Sequence, residues 1–207
     1  MKIASKFLLL LLSFLMLTSM KRQQQANEWV YEREKKGIKV FTKKSKWGKL
    51  RDSKAVMTVS SSPQEILTLL TDFDNYKTWY PRCSKSRIVA RLNENEFIVQ
   101  LHFNAPWPIK DRDCILRVKL EKDKATGAIT IYETSEPKYI REEADVVRIE
   151  LIQAVWKLTP KNGGTEILNE YASNPGGSIP DWMTNTQSVE NPIATFENIQ
   201  EKASTKK

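Results

Sequence analysis

One histidine in 207 residues, His102, is too little for a catalytic triad built on a histidine base or for a histidine-rich metal centre. The chain also lacks a phosphate loop, an activated-nucleophile motif and any internal repeat. These absences leave no expected metal and no expected cofactor. Cysteine is scarce as well: Cys83 and Cys114 are the only two. If Ser84 to Leu92 and Glu96 to Phe103 form a hairpin about Asn93 to Asn95, and Asp113 to Glu121 pairs next, residue 114 sits opposite about 102 and 102 opposite about 85. Cys83 then lies beyond an intervening strand, about 10 Å away at about 4.8 Å per strand, outside disulfide reach. Two free thiols are expected. No apolar run reaches the roughly 20 residues of a membrane-spanning helix, and no cysteine follows the run Phe7 to Leu17, which excludes a bacterial lipoprotein anchor.

With 40% hydrophobic residues, the chain suits one substantial domain and a short extension. Its net charge of +8 comes from 33 basic against 25 acidic residues. The two signs are mixed along most of the sequence, and only Lys21-Arg22, Lys43 to Lys54 and Lys202 to Lys207 are one-sided. A solvated basic surface with weak attraction to anionic headgroups accounts for this pattern, and no nucleic-acid partner is expected.

Residues 1–26 separate from the rest. Lys2 and Lys6 precede the apolar run Phe7 to Leu17, the order and length of a signal-peptide core. The expected protein is exported, to a bacterial periplasm or the exterior. Thr18-Ser19-Met20 makes a poor cleavage site, so an uncleaved N-terminal anchor is the alternative. Residues 21–26, with three consecutive glutamines, read as a linker, and residues 27–207 form the folded domain.

Within that domain the expected order is a short helix over Asn27 to Lys36, then strands over Ile38 to Thr42 and Leu50 to Ser60. Ser62-Pro63-Gln64-Glu65 is a helix start, and Ile66, Leu67, Leu69, Leu70 and Phe73 supply its apolar face. Tyr76 to Pro81 is an aromatic turn. In Glu96 to Phe103, alternation puts Phe97, Val99, Leu101 and Phe103 on a buried face and His102 on a wet one. Asp113 to Glu121 repeats the pattern, and further strands are expected at Ile129 to Ser135, Val146 to Thr159 and Thr165 to Ser173. Pro180 to Ala203 reads as a helix that Pro192 bends or restarts. The fold class is α+β: a curved antiparallel sheet wrapped around a long C-terminal helix, with room for an internal hydrophobic cavity.

Two rigid, aromatic segments frame that cavity. Ala105-Pro106-Trp107-Pro108-Ile109-Lys110-Asp111-Arg112-Asp113 delivers the chain into a strand, and Asn174-Pro175-Gly176-Gly177-Ser178-Ile179-Pro180-Asp181-Trp182 delivers it into the last helix. Together with Trp29 leading into Gly37-Ile38-Lys39-Val40-Phe41 and the stretch Tyr76 to Pro81, they resemble the START family, the steroidogenic acute regulatory protein related lipid transfer domains of the helix-grip fold. The resemblance runs from Trp29 to Ala203. It implies non-enzymatic binding and carriage of one hydrophobic molecule, often a lipid or sterol, in a tunnel gated by the 104–112 loop and the C-terminal helix. The chain departs from the sterol-binding members, where an acid and an arginine stand on the central strands; Val99 and Val118 occupy those positions here and imply a more apolar tunnel.

The residues expected to meet a ligand are Phe97, Val99, Leu101, Phe103, Trp107, Leu116, Val118, Tyr132, Trp156, Trp182, Val189, Ile193 and Phe196. Each of these apolar side chains has core filling as its alternative. Arg112 and Asp113 read as a charged pair pinning the loop to a neighbouring strand, and Pro175, Gly176 and Gly177 as the bend before the helix. The leading expectation is a monomeric, non-enzymatic carrier that touches membranes transiently. Two others stand beside it. One is a cyclase, aromatase or hydrolase, for which Tyr132, Asn169 and Tyr171 are the interior polar candidates; the other is an interaction or sensor module with a filled interior.

Overall fold

The N-terminal segment expected as a helix is a strand. In the computed structural model, which describes residues 28–177 and 179–204, β1 (Val30–Lys35) pairs antiparallel with β2 (Ile38–Lys44) across a two-residue turn. Lys36 and Gly37 both take positive φ, 51° and 79°, the geometry that matches the twist of a tight hairpin. That turn decides the conformation, because it folds residues 38–42 back alongside 30–35 and pairs the two segments as strands. The segment expected as an export signal or anchor with its linker, residues 1–26, lies outside the described residues.

The chain then builds β3 (Arg51–Val59), a short helix α1 (Pro63–Thr71) and a 3-10 helix (Phe73–Thr78). The start of α1 is fixed as the sequence predicts. Ser62 Oγ accepts from the Glu65 amide while the Glu65 carboxylate accepts from the Ser62 amide, so two otherwise orphaned donors are satisfied. Six strands follow: β4 (Cys83–Asn93), β5 (Glu96–Phe103), β6 (Arg112–Lys122), β7 (Ile129–Ser135), β8 (Val147–Arg148) and β9 (Leu151–Lys161). The expected single strand over residues 146–159 is therefore two. β8 lies parallel to β6 at Arg112 and Asp113, and the chain breaks away before β9 joins β7. β10 (Gly164–Asn174) and the helix α2 (Asp181–Ser204) complete the domain.

The strand order is β1-β2-β3-β10-β9-β7-β6-β5-β4, with β8 off this path. Apart from the β6–β8 pair, every pairing is antiparallel. The register places Leu101 opposite Cys114, His102 opposite Lys85 and Phe103 opposite Cys83, so the two thiols sit on strands separated by β5 and both are free and buried. Helix α2 packs on β2 and β3 and stays one helix through Pro192, which is itself buried. Its buried face carries Ile193, Phe196 and Ile199. Phe196 stacks on Trp156 of β9, with ring centroids 5.8 Å apart and planes 17° apart. Arg33–Glu190 and Lys35–Glu197 ion pairs tie α2 to the first hairpin, but they are solvent-exposed and contribute at most about 1 kcal/mol each. The stacked rings and apolar face, not these pairs, hold the helix in the sheet's grip.

Candidate functional site

The inner face of the sheet follows the period-2 rule over most of its width. Phe97, Val99 and Leu101 of β5, Leu116 and Val118 of β6, Trp156 of β9, and Ile193 and Phe196 of α2 are all buried in one apolar cluster. Phe103 and Val189 pack against it, half-buried. Ten of the thirteen residues expected to meet a ligand are thus brought together. The other three are not. Trp107 is 93% exposed, Trp182 is 68% exposed, and Tyr132 stands outward among Lys119 and Glu121 on the solvent face.

Tyr132 fails through parity. Ile129 and Ile131 are buried, so Glu133 is the next residue of β7 to share their face and Tyr132 points the other way. Glu133 sits directly across from Val118 on β6 and Ala154 on β9. Its carboxylate accepts a hydrogen bond from Trp156, the diagonal neighbour on the same face, yet burial still pushes its pKa from 4.5 to about 7. Among the described residues no ion pair reaches it. The inner face that Val99 and Val118 were expected to make more apolar therefore carries one carboxyl group, supplied from the next strand.

Polar groups collect around this carboxyl. Burial raises the Tyr80, Tyr171 and Cys114 pKa values, and the nearby Glu133 charge adds to each shift. Tyr76 behaves in the same way, and its hydroxyl donates to the Leu70 carbonyl at 2.6 Å. Tyr80 stacks on Tyr76 at 5.3 Å and leans on Phe103 at 6.0 Å. Asn169 is buried opposite Trp156 on β10, with its amide directed to the Val155 carbonyl at 3.4 Å. Tyr80, Glu133 and Tyr171 are strongly desolvated but not sealed, since each keeps intermediate accessible surface. These three side chains stand at the edge of the apolar cluster without being fully buried. The inner face is thus apolar along β5, β6 and α2 and polar at Glu133.

The two framing segments meet at Arg112. Asp111 closes the base of the 104–111 loop by accepting from the Ala105 amide at 2.9 Å, while its carbonyl accepts from the Val147 amide at 2.9 Å. Gly176 and Gly177 take φ of 65° and 66°, a region glycine adopts without strain. A Cβ on Gly177 would come within 3.3 Å of Arg112 Nη2 and 3.8 Å of Val147 Cγ1. The bend before α2 thus rests on the strand that leaves the Trp107 loop. Arg112 is buried, and its Nη1 donates to the Lys110 carbonyl.

Arg112 and Asp113 do not act as a pair, because successive strand residues face opposite sides. Asp113 lies on the outer face, where Arg148 of β8 donates to both its oxygens at 2.7 and 2.8 Å and Gln100 donates at 3.0 Å. Arg148 also donates to the carbonyls of Pro137 and Ile140, so the pair fastens residues 137–140 over the sheet. The outer face of β5 is consequently not wet: Gln100 and His102 are both buried. His102 Nε2 lies 3.4 Å from Glu143, and His102, Asp113 and Glu143 bring ligand-type atoms within 4.8 Å of one another. Asp113 is already committed to Arg148 and Gln100, so this cluster serves the covering segment. Sequence reasoning missed Glu133 and Arg148. The Ile129-x-Ile131 parity was the available signal for the first, and no local signal marked the second.

The sequence model for polyketide cyclase / dehydrase and lipid transport proteins matches residues 59–190. An uncharacterised protein of Pseudomonas aeruginosa is 27% identical over 179 residues, covering 86% of this chain and 88% of its own length. Mouse START domain-containing protein 10 is 26% identical over 163 residues, 77% of this chain, and the match spans only 56% of that protein. Among solved structures, a STAR-related lipid transfer protein from Xanthomonas axonopodis superposes with a TM-score of 0.79 at 27% identity, covering 85% of this chain and 98% of that one.

Proposed function

The chain belongs to the polyketide cyclase / dehydrase and lipid transport family, and on that premise we propose that it binds one lipid-sized hydrophobic guest between sheet and helix and carries it without changing it. One observation supports this most directly: an apolar inner wall encloses side chains, Tyr80, Glu133 and Tyr171, that remain accessible. The 104–112 loop and the start of α2 form the gate in this reading. Trp107 at the loop tip meets the membrane surface, and the contact of Gly177 with Arg112 couples the two sides. The apolar run Phe7 to Leu17 directs export, and the folded part acts as a monomer.

Native mass spectrometry of the purified protein tests the reading. The expected result is a complex with one co-purified lipid, or with one molecule taken from an added lipid mixture. A spectrum of bare protein after exposure to a broad panel of lipids would sink it.

Glu133 supports a second reading. A carboxyl that titrates near neutral pH inside an apolar space is suited to general acid–base work. An enzyme would release its guest with an altered mass or an isomer of altered retention, whereas a carrier returns it unchanged. Chromatography of the guest before and after incubation separates the two.

A further inference from the structure

The outer face of β4 and β5 carries a cavity of about 320 Å³, bordered by Lys85, Ser86, Arg87, Gln100, His102 and Glu143. That is the small end of the range for ligand pockets, roughly 300 to 1,000 Å³. Strand register gathers the donors, since Lys85 stands opposite His102 and Arg87 opposite Gln100. Gln100 and His102 are buried, and they converge on one atom of the covering segment. Gln100 Nε2 donates to Glu143 Oε1 at 3.1 Å, and His102 Nε2 lies 3.4 Å from the same oxygen. The Glu143 side chain stays 46% exposed. A carboxylate of the protein's own thus marks where an anion sits in this cavity.

The positive charge around the cavity exceeds what that carboxylate offsets. The Lys85 ammonium makes no hydrogen bond or ion pair among the described residues, and Arg87 makes no ion pair there. Arg87 is nonetheless held in place: its Nε and Nη2 donate to Gln100 Oε1 at 2.9 and 2.8 Å, which leaves Nη1 unused. A metal ion suits this place poorly. Asp113, the third group within reach of His102 and Glu143, has both oxygens engaged by Arg148, and the two uncompensated cations of β4 border the cavity. A fixed guanidinium, an ammonium and two buried donors around one space are suited to an anion of more than one charge.

We infer that this outer-face cavity binds a phosphate monoester, free or as the headgroup of a lipid, with Lys85 and Arg87 matching its charge, Gln100 and His102 donating to it, and Glu143 acting as a built-in competitor that yields the place. The site lies across the sheet from the apolar cluster and does not depend on what the interior binds. A monoester carries close to two negative charges above its second pKa of about 6, whereas a carboxylate or a phosphodiester carries one and leaves a cation unmatched. Glu143 can leave without freeing the covering segment, because Arg148 still fastens that segment through Asp113 and the carbonyls of Pro137 and Ile140.

His102 is the chain's only histidine, so in the untagged full chain its imidazole C–H signal in the proton NMR spectrum needs no assignment and reports directly on the cavity. Glycerol 3-phosphate, added at constant pH and ionic strength, should move that signal saturably. Lys85→Ala and Arg87→Ala should each weaken binding about fivefold or more; Lys85 holds no partner in the fold, so its loss cannot act through unfolding. Glu143→Gln should tighten binding severalfold, while Glu142→Gln, the same charge change one residue away, should leave it within about twofold. Vesicles separate the two sources. A preference for phosphatidic acid over phosphatidylglycerol at equal surface charge, lost in Lys85→Ala, identifies a lipid headgroup; a saturable response to glycerol 3-phosphate without that preference identifies a soluble ligand. Neither response in the wild-type protein overturns the proposal. So does equal tightening by Glu142→Gln and Glu143→Gln, which would reduce the effect to long-range charge, and so does a signal moved by zinc ions but not by the monoester, which would make the cavity a metal site.

Discussion

Glu133 is held in a protonation state that changes the stability of the empty protein, and the size of the effect can be worked out. Its folded pKa is about 7 against an ordinary 4.5. At about 1.4 kcal/mol for each tenfold change in proton affinity, the difference amounts to about 3 kcal/mol. The folded state holds this proton more tightly than the unfolded state does. The stabilising contribution is therefore complete below pH 4.5, declines as pH rises through about 7, and is constant above that. Glu133→Gln replaces the carboxyl with a neutral group of the same size that does not titrate. Urea unfolding of guest-free protein should find the variant more stable than wild type by less than about 1 kcal/mol at pH 5 and by about 3 kcal/mol at pH 8. Comparing the two proteins at each pH cancels every other titrating group. Equal gaps at pH 5 and pH 8 would refute the reasoning, because they would mean that Glu133 keeps an ordinary proton affinity in the folded chain.

Two further perturbations separate holding from handling. Arg148→Ala leaves Asp113 buried without its counter-charge and releases the backbone of Pro137 and Ile140; urea unfolding should report a loss of about 3–5 kcal/mol, and a loss under about 1 kcal/mol would show that the pair is not holding the covering segment. Trp107→Ala removes an indole that is 93% exposed, so stability should change by no more than about 0.5 kcal/mol. Transfer of a fluorescent lipid between vesicles should nonetheless slow severalfold. Parallel losses of stability and transfer would make Trp107 a packing residue.

Most of the sheet was legible because its signals are local. The Ser62/Glu65 box, the Ile129 to Ser135 strand and the Pro180 start of the last helix depend on neighbours within a few residues, and the structure places them within about one residue of expectation. The first strand was lost because Trp29-Val30-Tyr31 fits either period over so short a span, and only the left-handed pair Lys36-Gly37 settles it. Tyr132 was expected inward as one of the interior polar candidates, whereas the facing is fixed by the pairing of Ile131 with Trp156 and of Glu133 with Ala154. One residue of parity moved a carboxyl from solvent into the interior. The burial of His102 was hidden for a different reason. It depends on a covering segment with no periodicity of its own, fastened by an Arg148–Asp113 pair that spans 35 residues.

The contrast between Asp113 and Glu133 carries the functional argument further than the fold does. Both carboxyl groups lie where water is largely excluded, and taking a charge out of water is costly unless a partner offsets the cost. At Asp113 the partner is present, with two guanidinium hydrogen bonds and an amide, and the arrangement contributes to holding a surface segment in place. At Glu133 a single indole N–H is present and the desolvation cost remains. A local rule broken without compensation inside the protein is the pattern that would be expected where function, not stability, keeps the residue.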